Sequence, residues 1–170
     1  MVFMITQDLG HRTSDQSKDK HPPCTCLNPQ ILAAIMHYLT RRFSFSASHR
    51  LHSTTMDAAA NTCAYGLCEN IHGHNYRLEV TVKGVVDPKT GFFCNVMDLA
   101  AIVKRLVADP CEHQYLNDLP MFQGCVTTME NIAGRIWATI EGELTAKGMT
   151  LVEVLVGETD ENWVRLRGNE

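Results

Sequence analysis

Between Asn75 and Val86 the chain reads NYRLEVTVKGVV, and its side chains alternate in character. Tyr76, Leu78, Val80 and Val82 occupy one set of positions, and Arg77, Glu79, Thr81 and Lys83 the other. Successive side chains of an extended chain point to opposite faces, so this period makes a strand with one face on a core and one in water. A second stretch, RFSFSASH, repeats the pattern: Phe43, Phe45, Ala47 and His49 share a face and the serines take the other. The chain is thereby committed to a sheet, and a sheet with one apolar face needs a covering layer.

Two segments can supply it. Asp98 can cap a helix over LAAIVKRLVAD, where Leu99, Ile102, Val103, Leu106 and Val107 keep helical spacing, and Pro110 ends it. Thr127 or Thr128 can cap a second helix carrying Ile132, Ile136, Ile140 and Leu144, stopped at Gly148. LVEVLV and WVRLR read as the last two strands, and GETDEN between them as a hairpin tip. Ser53 to Ile71 reads as a polar loop, and DPKTG as a turn leading into a further strand at FFCNV. The expectation is an α+β domain with an antiparallel sheet and helices on one face.

Residues 1–39 differ from the rest. Residues 7–28 are polar and are expected to be partly disordered. Cys24 and Cys26 form a Cys-x-Cys pair with no matching second pair, which reads as incidental. Asn28 and Pro29 suit the start of a short helix over QILAAIMHYL. The expected organisation is an N-terminal extension, 1–39, and one domain, 40–170.

The net charge of −4 offers no general attraction to nucleic acid or anionic lipid. No apolar run approaches the roughly eighteen residues that span a bilayer. The first residues lack a secretory pattern, and seven cysteines in no scaffold spacing read as mostly reduced thiols. A cytoplasmic location is the expectation.

The chemistry concentrates in CENIHGHNY, Cys68 to Tyr76. His72 and His74 point to the same side of an extended chain, and Gly73 puts no side chain between them. His49, at the end of the first alternating strand, makes a third imidazole if that strand pairs beside them. Three protein ligands with one position open is the catalytic arrangement of zinc. Spacing alone leaves two readings: a metal site with a nucleophile or base beside it, or a polar turn before a strand. Cys68 equally reads as a fourth, structural ligand or a small buried hydrophobe. Glu112 and His113 are adjacent and need a turn to act together; on residues alone they read as a solvated loop.

Several stretches carry a resemblance in fixed order: FSFSASHRLHS, YGLCENIHGHNY, VDPKTGFFCNVMDL, EHQYLN, TMENIA and GETDEN. From about Arg41 onward the chain resembles the 6-pyruvoyltetrahydropterin synthase family. The resemblance implies the T-fold: a four-stranded antiparallel sheet with two helices, assembled as a dimer of trimers around a barrel. It implies conversion of 7,8-dihydroneopterin triphosphate to 6-pyruvoyltetrahydropterin with loss of triphosphate, on the route to tetrahydrobiopterin. Zinc is the implied metal, with magnesium assisting, and active sites lie between chains. His49, His72 and His74 match the zinc ligands, Cys68 the catalytic cysteine and His113 the catalytic histidine. Glu112 stands where the family usually has the aspartate partner of that histidine. Glu158 matches the glutamate that anchors the pterin, and Thr128 and Glu130 match further pocket positions.

Two more departures accompany Glu112. The link ENI between Cys68 and His72 is short, as in the bacterial 6-carboxytetrahydropterin synthases, which release acetaldehyde from the same substrate. Met129 replaces a frequent threonine. A catalytically silent pterin-binding homologue is the remaining alternative.

Overall fold

The computed structural model describes residues 35–168. Two long strands dominate it. β1 (Met36–His49) and β2 (His72–Val85) run antiparallel over their whole length, from Met36 opposite Val85 to His49 opposite His72. β2 also pairs with β4 (Thr150–Gly157), which pairs with β5 (Trp163–Arg167), both antiparallel. A two-residue β3 (Gln114–Tyr115) adds to the other edge of β1 in parallel, giving the order β3-β1-β2-β4-β5. The sheet is therefore mixed and five-stranded, where four antiparallel strands were expected.

The alternation holds. Tyr76, Leu78, Val80 and Val82 are all buried, with Phe45 and Ala47 beside them on β1. They pack against α2 (Val96–Val103) and α3 (Met129–Ala146). α3 buries Ile132, Ile136, Ile140 and Leu144, the spacing read from sequence. Burying each such side chain stabilises by roughly 1.5–3 kcal/mol, and truncating one to alanine costs on the order of 2–5 kcal/mol. Thr128 is the cap of α3, its hydroxyl accepting from the Asn131 N–H, and Gly148 takes a positive φ of 74° just beyond its end.

Four local expectations fail for physical reasons. Met36 to Leu39 are strand, not helix, because Val82 to Val85 offer them a complete ladder of partners; the rest of the expected helix, with Cys24 and Cys26, lies outside the described residues. FFCNV is not a strand. The DPKTG turn closes on itself, Asp87 N–H donating to Phe92 and Gly91 N–H to Asp87. Phe93 then lies across the end of β2: a Cβ on Gly84 would sit 2.5 Å from its ring.

The cap of α2 is Asn95, whose side chain accepts from Met97 N–H, rather than Asp98. Asp98 lies in the first turn and pairs with Lys147 at 3.4 Å. α2 continues through a π-helical turn (Lys104–Ala108) and a last turn (Asp109–Cys111) that contains Pro110. The segment expected as a polar loop holds α1 (Ala58–Tyr65), capped by Asp57, and a 3-10 turn (Gly66–Glu69). Asn61 is the reason: fully buried, it bonds Ser53, Met56 and Asp57 and folds the loop into a helix start. Among the described residues no helix is long and apolar enough to cross a membrane.

Candidate metal centre and active site

The pairing of β1 with β2 builds the histidine cluster. His49 is directly opposite His72, and Ala47 opposite His74. Opposed side chains of an antiparallel pair share a face, so the three imidazoles converge on the core side of the sheet. Their ring centroids are 4.5 Å apart for His49–His72, 5.2 Å for His49–His74 and 5.1 Å for His72–His74. One ring nitrogen from each lies within 4.8 Å of the others. Gly73 lets the strands close up: a Cβ there would lie 3.1 Å from the Ala47 carbonyl oxygen.

Backbone carbonyls settle which nitrogens are free. His49 Nδ1 is 2.9 Å from the Thr127 carbonyl oxygen, and His72 Nδ1 is 2.8 Å from that of Asn70. A carbonyl only accepts, so each Nδ1 carries a proton, and in the neutral ring the free lone pair is then on Nε2. Nε2 of His49 and of His74 is buried with no hydrogen-bond partner. Burial pushes the His49 pKa down to about 4, with His72 and His74 adding to the shift and the bond to Thr127 opposing it. His74 is lowered by burial and then by His72. The buried, orphaned Nε2 atoms of His49 and His74, with His72 converging beside them, are the donor set a borderline metal ion takes, and the three residues fit one.

Glu158, at the first position after β4, reaches the same place. Its Oε1 is 3.7 Å from His49 Nε2, and its side chain is 16% exposed. Burial raises its pKa; His72 opposes this and Glu130 adds to it. Glu130 stands in the first turn of α3, just after the cap Thr128, and its charge acts on Glu158. The hairpin tip is tied by Thr159, whose hydroxyl oxygen accepts from the N–H groups of Glu161 and Asn162.

The other expected residues sit around this centre. Cys68 is exposed on the 3-10 turn and, among the described residues, stands outside the histidine group rather than joining it as a fourth ligand. Glu112 and His113 do meet. His113 has a positive φ of 56°, the turn their adjacency requires, and its Nε2 is 3.2 Å from Glu112 Oε1. Both are stitched to β1: His113 N–H donates to Ser46 O at 2.7 Å, and Ser46 N–H to Glu112 Oε2 at 3.1 Å. His113 opens onto a surface recess shared with Ser46, Ser48, His74 and Asn75. The pair is thus an exposed turn, as read from the residues alone, held in a fixed place by two bonds to β1. Sequence reasoning missed the groups that orient the cluster, Thr127 and Asn70, because backbone carbonyls carry no side-chain signature.

The sequence model described as 6-pyruvoyl tetrahydropterin synthase matches residues 38–169. The chain belongs to that family. It is 44% identical over 131 residues to the 6-pyruvoyl tetrahydrobiopterin synthase of Dictyostelium discoideum, covering 76% of this chain and 95% of the relative. It is 41% identical over 133 residues to the Homo sapiens protein of the same name, covering 76% and 90%. The solved 6-pyruvoyl tetrahydropterin synthase of Caenorhabditis elegans superposes with a TM-score of 0.73 at 33% identity, covering 79% of this chain and 97% of that one.

Proposed function

We propose that this protein is a zinc-dependent 6-pyruvoyltetrahydropterin synthase. It takes 7,8-dihydroneopterin triphosphate, eliminates triphosphate and redistributes hydrogens within the side chain, serving tetrahydrobiopterin biosynthesis. The observation that carries this reading is the pair of buried, partnerless Nε2 atoms of His49 and His74, with Glu158 3.7 Å from the first. Buried polar atoms without partners are rare, and a cation with its ligand would satisfy these.

His49, His72 and His74 would hold the zinc ion. Bound there, zinc supplies Lewis acidity to the side-chain hydroxyls of the substrate and so acidifies the neighbouring C–H. Cys68 takes that proton at its sulfur as general base. Glu158 accepts hydrogen bonds from the amino and ring N–H groups of the pterin and fixes its orientation. Thr128 and Glu130 complete the pocket. Glu112 holds the His113 ring through Nε2, which leaves Nδ1 to move a proton.

Assembly belongs to the same reading. The outer edge of β1 from Met36 to Phe45 carries no strand among the described residues, and neither does the outer edge of β5. Open edges of this length are normally covered. Pairing them between copies closes the sheets into a barrel, with two trimers making a hexamer and active sites between chains.

The deciding experiment is product identification. Incubation with 7,8-dihydroneopterin triphosphate should yield inorganic triphosphate and 6-pyruvoyltetrahydropterin. Release of acetaldehyde would instead assign the 6-carboxytetrahydropterin reaction, which the short Cys68–His72 link favours. Binding without turnover would identify a silent pterin-binding homologue.

A further inference from the structure

The turn that carries Cys68 is exposed along most of its length, with Leu67 86% exposed. Core packing therefore does not place the thiol; specific polar ties do. Leu51 N–H donates to the Cys68 carbonyl oxygen at 2.8 Å, attaching the turn just beyond the end of β1 and His49. Next to Cys68, Glu69 divides its carboxylate. Oε2 accepts from the Thr62 hydroxyl at 2.7 Å, and Oε1 faces His52 Nδ1 at 3.7 Å. That His52 nitrogen is buried and has no hydrogen-bond partner.

Glu69 thus touches both neighbours of the turn: α1 through Thr62, and the segment leaving β1 through His52. These neighbours are already fixed to each other. Asn61 Oδ1 accepts from Ser53 N–H at 2.7 Å, and its Nδ2 donates to Ser53, Met56 and Asp57 at 2.9–3.0 Å. Asn61 builds the frame, and Glu69 is the side chain that fastens the Cys68 turn to it.

We infer that Glu69 is a positioning residue for Cys68, sharing its carboxylate between Thr62 and His52 to hold the thiol turn against the strand end that bears His49. The inference rests on the proposed role of Cys68 as base. The frame is peripheral to the core, so removing the carboxylate leaves the fold standing. A proton transfer in a positioned pair is sensitive to displacement of about 1 Å, which costs on the order of a hundredfold in rate.

The test uses the full zinc-loaded chain with Glu69→Ala, Glu69→Gln and Thr62→Val. Amide hydrogen exchange reports the turn without any substrate, through the Leu51 N–H that binds the Cys68 carbonyl. In Glu69→Ala the Leu51 amide should exchange at least tenfold faster, while amides of β2 and zinc content stay at wild-type values. On 7,8-dihydroneopterin triphosphate kcat should fall at least tenfold with KM within about twofold. Glu69→Gln, which still accepts from Thr62, should recover most of both losses; Thr62→Val should show a smaller loss of the same kind. An unchanged Leu51 amide in Glu69→Ala overturns the inference. So does faster exchange with wild-type kcat, and so does a loss shared equally by Leu51 and the β2 amides. Failure of the functional reading looks different: the wild-type chain itself does not turn over, or Cys68→Ser keeps the full rate.

Discussion

The Thr127 carbonyl oxygen lies 2.9 Å from Nδ1 of His49, across 78 residues of sequence. That one bond sets the tautomer of a ring that is 1% exposed and leaves its Nε2 facing His72 and His74. One zinc per chain is the expected stoichiometry. His72→Ala removes one of three ligands and should lower zinc occupancy at least tenfold by elemental analysis, with the sheet intact by circular dichroism. Stripping zinc from the wild type should lower the melting temperature, since a ligand at a hundred times its Kd contributes about 2.7 kcal/mol. Full occupancy in His72→Ala would refute the assignment.

Glu158 is aimed into the same space from the end of β4. Glu158→Ala should leave pterin N–H groups buried without an acceptor. Hydrogen bonds to a charged group contribute roughly 1.5–3 kcal/mol, so substrate should bind about 10- to 150-fold more weakly in calorimetry. Zinc content should not change. Unaltered affinity would put the pterin pocket elsewhere.

Both oxygens of Glu112 are engaged, one by His113 Nε2 and one by the Ser46 N–H. Aspartate is one methylene shorter and cannot keep both contacts, so Glu112→Asp should lower kcat by a few-fold. Glu112→Gln loses the charge that orients the ring and should lower it by about tenfold or more. The side chains are 80% and 43% exposed, so the pair adds at most about 1 kcal/mol to stability. Melting temperatures should therefore barely move. Equal, near-wild-type rates in both variants would leave the carboxylate without a role.

The thiols should separate by burial. Cys63 and Cys68 are exposed, whereas Cys111 is fully buried and burial pushes its pKa up to about 12. Thiolate is the reactive form, so iodoacetamide at neutral pH should modify Cys63 and Cys68 within minutes and leave Cys111 unlabelled until the chain unfolds. Peptide mass spectrometry reads this directly. Labelling of Cys111 in the native protein would contradict the packing around α2.

What could be read in advance was what depends on neighbours in sequence. The alternation of Tyr76 to Val82 and the isoleucine spacing of α3 each state a period, and a period implies a face. The ordered motifs marked His49, His72, His74, Cys68 and Glu158, and the fold brings four of these five together. What depended on partners far along the chain was not legible. Met36 to Leu39 suit a helix until Val82 to Val85 are laid beside them. FFCNV suits a strand until Phe93 finds Gly84 and Asn95 finds the Met97 N–H. Glu112 and His113 are the exposed turn they read as, but that β1 fixes it through Ser46 could not be read. By itself the sequence determined the alternating strands, the two helices that cover them and which residue types meet at the site. Only the tertiary structure decided which imidazole nitrogens are free, because Thr127 and Asn70 act through carbonyl groups that every residue possesses and that folding alone puts in place.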